Sequence, residues 1–198
     1  MIKYNSYGFW GLIDLALFRL RTFLLFPSAR LIRFPFRIRG KSYVSIGEGF
    51  TTGFNCRIDA FATNSKKDYI ITIGKNVQIN DYVHLAAIEK LEIGDNVLIA
   101  SKVFVTDHNH GSYSGDFQDS PLSIPKDRPL YSKPVSIENN VWIGEFVCVL
   151  PGVTIGEGAI IGAMSVVNKD IPAYSIAVGS PARVVKVYDF ETQNWVKV

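Results

Sequence analysis

Cysteine, histidine and methionine are all scarce in this 198-residue chain, at two, three and two copies. Cys56 and Cys148 stand far apart, and both fall at wall positions of a regular repeat. That pattern suits reduced packing thiols in the cytosol better than a disulfide or a thiolate metal site. With only His84, His108 and His110 present, a three-histidine zinc centre would need all of them to converge. Charge is also modest. A net +3 does not suggest a nucleic-acid surface, although basic residues near the chain ends suit a phosphate-bearing ligand. Long apolar runs are missing, since none approaches the roughly 20 residues that span a bilayer. Gly8 to Phe36 comes nearest, but Asp14, Arg19, Arg21, Arg30 and Arg33 interrupt it. The segment also lacks the clean apolar core and small-residue cleavage site of a signal peptide.

What the chain has is a period. From Ile137 it reads IENNVW, IGEFVC, VLPGVT, IGEGAI, IGAMSV, then VNKDIP, each unit opening on Ile or Val. Six is neither the 3.6 of a helix nor the plain 2 of an ordinary strand. It belongs to a solenoid whose flat walls are one hexapeptide long. The aliphatic first position points inward, and Gly or Asn beside it takes the turn. Three hexapeptides close a triangular coil, so residues eighteen apart should stack: Ile137 on Ile155, Ile143 on Ile161, Val149 on Val167. A β-sandwich with frequent turns is the alternative, but sandwiches rarely hold a strict six-residue phase over so many units.

The phase runs earlier too. Ile46 and Ile58 fit one degenerate coil, Ile73, Ile79 and Leu85 another, and Ile93, Ile99 and Val105 a third. The register slips by two, expected between Leu91 and Ile93 as a bulge or widened corner. The phase is lost between Val105 and Ile137, where Pro121, Pro125, Pro129 and Pro134 accumulate. Residues 107–134 therefore form a protruding loop, a length more often functional than not. With 47% hydrophobic residues, a single domain is expected: an N-terminal helical segment over 1–40, a solenoid over 41–187 and a tail over 188–198. A helix over 9–26 should stop before Pro27. It serves either as a cap on the open end of the solenoid or as an interfacial helix resting on anionic lipid.

His108 lies where the coil leaves for the loop, a better place to meet a ligand than a flat wall. Neutral imidazole accepts protons near neutral pH. His110 is either a helper or a solvated loop residue, and His84 is expected at a corner.

The run VTDHNHG at 105–111, with NVWIG, PGVTIG, KDIP and GSPAR in order after it, resembles the hexapeptide-repeat acyltransferases. The likeness is greatest to galactoside and maltose O-acetyltransferases and to relatives that acetylate bacterial surface polysaccharides. It covers roughly residues 73–187. The resemblance implies an all-β, left-handed parallel β-helix, a homotrimer with active sites between subunits, acetyl-CoA as donor, a saccharide acceptor and no metal. It further implies His108 as general base on the acceptor hydroxyl, with direct transfer and no acyl-enzyme. It places Asn80, Trp142 and His110 at the acceptor side. Gly144, Glu145 and Ala163 would meet the pantetheine arm, and Asn168, Lys169, Arg183 and Lys186 the nucleotide end. The acidic residue that relatives place near the acceptor has no evident counterpart: Ile88 or Glu89 falls there, with Asp107 and Asp116 as other sources of a carboxylate.

Two acceptor chemistries stay open, a sugar hydroxyl and the amine of an amino sugar. A zinc carbonic anhydrase on the same helix needs a histidine spacing that His84, His108 and His110 do not offer. A non-catalytic scaffold would leave His108, Trp142 and the basic C-terminal positions without a role. A lipid-contacting N-terminal segment would bring the enzyme to the inner face of a bacterial membrane, where lipid-linked glycans are assembled.

Overall fold

The structure is a computed structural model that describes residues 7–62 and 68–198. The chain winds through three parallel walls in turn. The first stacks Val44–Ile46, Ile71–Ile73, Leu91–Ile93, Val135–Ile137 and Thr154–Ile155. The second stacks Thr51–Thr52, Gln78–Ile79, Leu98–Ile99, Trp142–Ile143, Ile160–Ile161 and Ser175–Val178. The third stacks Phe36–Arg39, Cys56–Ala60, His84–Ala87, Phe104–Thr106, Cys148–Val149 and Val166–Val167. All three anticipated stacks occur: Ile137 pairs with Ile155, Ile143 with Ile161 and Val149 with Val167. The result is a parallel β-helix.

Inward residues form one continuous core. Ile79, Ile99 and Ile143 line the second wall, and Ile58, Leu85, Val105 and Val149 the third, all without solvent contact. Full burial of each such side chain contributes about 1.5–3 kcal/mol relative to exposure. The corners need backbone that β-branched residues resist. Asn76, Asn96 and Asn140 take φ of 55°, 58° and 60°, the left-handed region that asparagine tolerates. Their side-chain amides also bond in a ladder, Asn76 Nδ2 to Asn96 Oδ1 and Asn96 Nδ2 to Asn140 Oδ1, each at 3.3 Å.

Two expectations need correction. The two-residue slip does not lie between Leu91 and Ile93. Leu91 is in register with Ile71 and Val135, and Ile93 with Ile73 and Ile137, so both point inward two residues apart. The extra residues sit in the corner just before, at 88–90, where backbone donors find a side-chain acceptor instead of a neighbouring coil. His84 is not a corner residue. It begins the strand His84–Ala87 and lies on the outer face of the third wall, its ring 5.1 Å from that of Phe104.

The coil also begins earlier than the Ile-Gly phase shows. Phe36–Arg39 pairs in register with Cys56–Asp59, and Leu31 bridges to Thr51. Helix α1, Gly8–Leu25, lies against this first turn of the coil. Thr22 Oγ1 accepts the Ile32 N–H at 2.8 Å, and Phe18 meets Phe34 and Phe54 edge-on or tilted. Among the described residues no helix is long and apolar enough to cross a membrane.

After Val105 the chain leaves the helix. His108–His110 and Leu130–Ser132 pair antiparallel, making the neck of an excursion that returns at Val135. Arg128 fastens the excursion internally, through the Ser123 carbonyl and the Ser123 and Tyr113 hydroxyls, each at 2.8 Å.

Candidate active site

Asp107 follows the third-wall strand Phe104–Thr106, and His108 opens the neck. Asp107 is fully buried, and its carboxylate accepts the backbone N–H groups of Ile88, Glu89 and Lys90 at 3.0, 2.7 and 2.8 Å. It thus closes the widened corner at 88–90, whose donors have no coil partner to bond. The same carboxylate lies 2.8 Å from His108 Nδ1, with Thr106 Oγ1 at 3.2 Å. A carboxylate taking three N–H donors acts as an acceptor, so Nδ1 carries the ring proton and Nε2 keeps a free lone pair. The His108 side chain is 14% exposed, enough for one face to meet a ligand. This is the arrangement of a general base with an orienting carboxylate.

The sequence offered Ile88 or Glu89 as the acidic position and left Asp107 as one further source. The structure brings all three together in one arrangement, with Ile88 and Glu89 contributing backbone donors and Asp107 the charge. The signal was present as a two-residue slip facing an Asp-His pair at the end of a strand. Linking the two needed the register between adjacent coils.

The outer face of the third wall beside His108 is polar and was not singled out from sequence. Asp59 is 1% exposed and bonds Arg39 Nε at 2.7 Å, Arg57 Nε at 2.9 Å and His84 Nε2 at 3.0 Å. Burial alone would raise its pKa, but hydrogen bonds from Arg39 and His84 and the charges of Arg39 and Arg57 outweigh it and hold the carboxyl below its ordinary value. Burial lowers the His84 pKa, opposed by its bond to Asp59, so the ring is a neutral donor to that carboxylate. Arg39 stacks at 5.0 Å over Phe61, whose ring lies perpendicular to that of His108 at 6.5 Å between centroids.

The other anticipated site residues fall elsewhere. Trp142 projects outward from the second wall between Leu98 and Ile160. Gly144, Glu145 and Ala163 occupy stacked corners between the second and third walls. A side chain at Gly144 would sit 2.6 Å from the Ala163 nitrogen, so coil stacking already requires glycine there. Asn80 lies at the same edge in an earlier coil, its Oδ1 accepting from Gln78 Nε2 at 3.1 Å. Asn168 and Lys169 follow Val167 at the far edge of the third wall and are exposed. Ala182 N–H donates to the Val166 carbonyl at 2.8 Å, so Arg183 starts near these two. Lys186 continues the same strand, opposite Ile176. His110 is exposed on the neck, opposite Leu130, and its backbone carbonyl accepts from the Tyr113 hydroxyl.

One chain therefore gathers His108 with Asp107 at one edge of the third wall, and Asn80, Gly144, Glu145 and Ala163 at the other. The wall between them is six residues long, on the order of 15–20 Å of extended strand. Neither thiol stands near His108. Cys56 points inward with Sγ 2.8 Å from the Asn80 carbonyl, and burial pushes its pKa up to about 11, which makes it a poor nucleophile. Among the described residues no three His, Cys, Asp or Glu side chains are grouped to hold a metal ion.

Comparison with known proteins adds an independent line. Residues 134–169 match the family described as bacterial transferase hexapeptide (six repeats). The chain is 46% identical over 194 residues to a putative lipopolysaccharide biosynthesis O-acetyl transferase, WbbJ, of Escherichia coli strain K12, covering 98% of this chain and 96% of that one. Among solved structures, a maltose O-acetyltransferase from Clostridium difficile 630 superposes with TM-score 0.60 at 34% identity, over 75% of this chain and 72% of that one. The N-acyltransferase AntD of Bacillus cereus, bound to dTDP-4-amino-4,6-dideoxyglucose and coenzyme A, superposes with TM-score 0.64 at 26% identity, over 82% of each chain.

Proposed function

The chain belongs to the bacterial hexapeptide-repeat acetyltransferases, and from that premise we propose that it transfers acetyl from acetyl-CoA to a hydroxyl of a sugar or surface-polysaccharide precursor, with His108 as general base. The observation that carries this reading is the buried Asp107 carboxylate 2.8 Å from His108 Nδ1, which leaves Nε2 as the acceptor. A sugar hydroxyl is far too weak an acid to lose its proton unaided at neutral pH. In this mechanism Nε2 takes that proton as the oxygen attacks the thioester carbonyl. The tetrahedral adduct then collapses, the acetyl C–S bond breaks, and the imidazolium returns the proton to the departing CoA thiolate. No acyl-enzyme forms, in keeping with the inward, high-pKa Cys56 and with Cys148 on the wall.

The donor lies along the second wall and its edge: Trp142 near the acetyl group, Gly144, Glu145 and Ala163 along the pantetheine arm, and Asn168, Lys169, Arg183 and Lys186 toward the nucleotide. Asn80 and His110 contact the acceptor. Because one chain holds Asn80 and His108 at opposite edges of a wall, a second copy is needed to bring the two halves together. The functional unit is accordingly a homotrimer of left-handed helices with sites between subunits, the arrangement the family implies. Likeness to WbbJ supports a lipopolysaccharide or related glycan as acceptor. Likeness to AntD, an N-acyltransferase, supports an amino-sugar acceptor as the second reading. A cytoplasmic enzyme peripheral to the inner membrane fits α1, whose Phe9 and Trp10 are 73% and 76% exposed.

The direct test is His108→Ala. CoA affinity should stay within twofold of wild type while turnover falls by about 10²–10⁴, the usual contribution of a general base. Turnover unchanged from wild type would remove His108 from the mechanism.

A further inference from the structure

The outer face of the third wall holds a concavity of about 320 Å3, lined by Pro35, Arg37, Asn55, Arg57, Tyr82 and His84 among others. Neither the donor track nor the Asp107–His108 pair uses it. Arg37 is exposed and has no ion-pair partner among the described residues. Arg57 is steered by its 2.9 Å bond to Asp59, and Arg39 shares that carboxylate. Two guanidinium groups thus share one carboxylate, Arg37 stands without a partner among the described residues, and His84 is neutral. The concavity keeps a positive surplus, in the planar forked form that suits phosphate oxygens.

The concavity also connects to the base. From Asp59 the surface runs through Arg39 to Phe61, and from Phe61 to His108. Arg57 pairs with His84, and His84 with Phe104. Thr106 is therefore two strands across and two residues along from Arg57, about 12 Å between Cα atoms. That span matches a hexose ring whose anomeric carbon carries a phosphate.

We propose that this concavity binds the phosphate or diphosphate group of the acceptor, held by Arg37 and Arg57, so that the sugar lies along the third wall with a hydroxyl toward His108. The proposal rests on the acetyl-transfer reading and narrows its substrate to phosphorylated saccharides. A diphosphate sugar can be carried on a nucleoside or on a lipid, and the concavity recognises the feature common to both.

Inorganic pyrophosphate titrated into the full-length protein, in saturating CoA so that the donor's own phosphate sites are filled, tests the site. Wild type should bind it, and Arg37→Ala should weaken binding about tenfold, the loss of one charge-assisted contact. Arg183→Ala should leave it unchanged. Competition with a nucleoside diphosphate hexose and with a short-chain prenyl diphosphate hexose then identifies the carrier. Absence of pyrophosphate binding, or equal binding by wild type and Arg37→Ala, overturns the proposal. CoA binding in the same samples reports on the donor separately. If CoA fails to bind while pyrophosphate binding still depends on Arg37, acetyl transfer falls and the anion site stands.

Discussion

Asp107→Asn separates the two tasks of one side chain. The carboxylate takes three backbone N–H donors from residues 88–90 on one side and His108 Nδ1 on the other. An amide has one acceptor oxygen and one donor nitrogen, so it can match only one side. Three unsatisfied N–H groups in the corner would each cost about 1–3 kcal/mol, against one on the ring side. The amide oxygen therefore turns to the corner and the NH2 to the ring. His108 Nδ1 must then accept, the ring proton moves to Nε2, and the base loses its lone pair on the acceptor side. The three corner bonds remain, but change from charge-assisted to neutral at roughly half strength, a destabilisation of about 2 kcal/mol. For a chain of this size that lowers the melting temperature by roughly 4–8 °C. Turnover, followed as CoA thiol release, should fall by about 10³–10⁴, as when an orienting carboxylate is replaced in a serine protease triad. A folded Asp107→Asn protein keeping more than a tenth of wild-type turnover would refute the tautomer argument. A melting temperature equal to wild type would refute the corner argument instead.

Acid should destabilise the protein in two stages. The His84 pKa lies below its ordinary 6.5 in the fold, so on acidification the unfolded chain takes up that proton first, and stability starts to fall as pH drops below about 6.5. The Asp59 pKa lies below its ordinary 3.8, so its contribution is complete above that value and is lost as pH falls further, through the folded value. Urea unfolding at pH 7.5, 5.5 and 3.5 should show both declines, and Asp59→Asn should remove the lower one; an acid limb unaltered in Asp59→Asn would disprove its assignment. The exposed residues of α1 should carry lipid contact. Full-length protein is expected to sediment with vesicles of anionic lipid, and the combined Phe9→Ser, Trp10→Ser, Phe23→Ser variant to remain in the supernatant. Equal behaviour of the two would leave α1 as a cap on the first coil.

Much of the architecture was legible because a hexapeptide solenoid is a local code. Each inward Ile or Val repeats at a fixed interval, and stacking partners follow by counting, as Ile143 on Ile161 shows. The same count locates His108, since the candidate base stands where the repeat breaks. It failed wherever the chain departed from the code. Phe36–Arg39 lacks the Ile-Gly signature, so its pairing with Cys56–Asp59 was visible only in space. His84 ends a hexapeptide in the text but begins a strand in the coil, because strands start one residue before each inward position.

The sequence by itself therefore determined the wall, the coil and the identity of the candidate base, because all three depend on spacing along the chain. Tertiary structure alone decided which nitrogen of His108 is free. That depends on Asp107 meeting three backbone donors from a corner seventeen to nineteen residues earlier. It also placed Asp107 and His108 at one edge of a wall and Asn80, Gly144, Glu145 and Ala163 at the other, and it brought Arg39 and Arg57, from two adjacent strands, to a single buried carboxylate. Such relations are set by the register between coils, and no repeat along the chain records them.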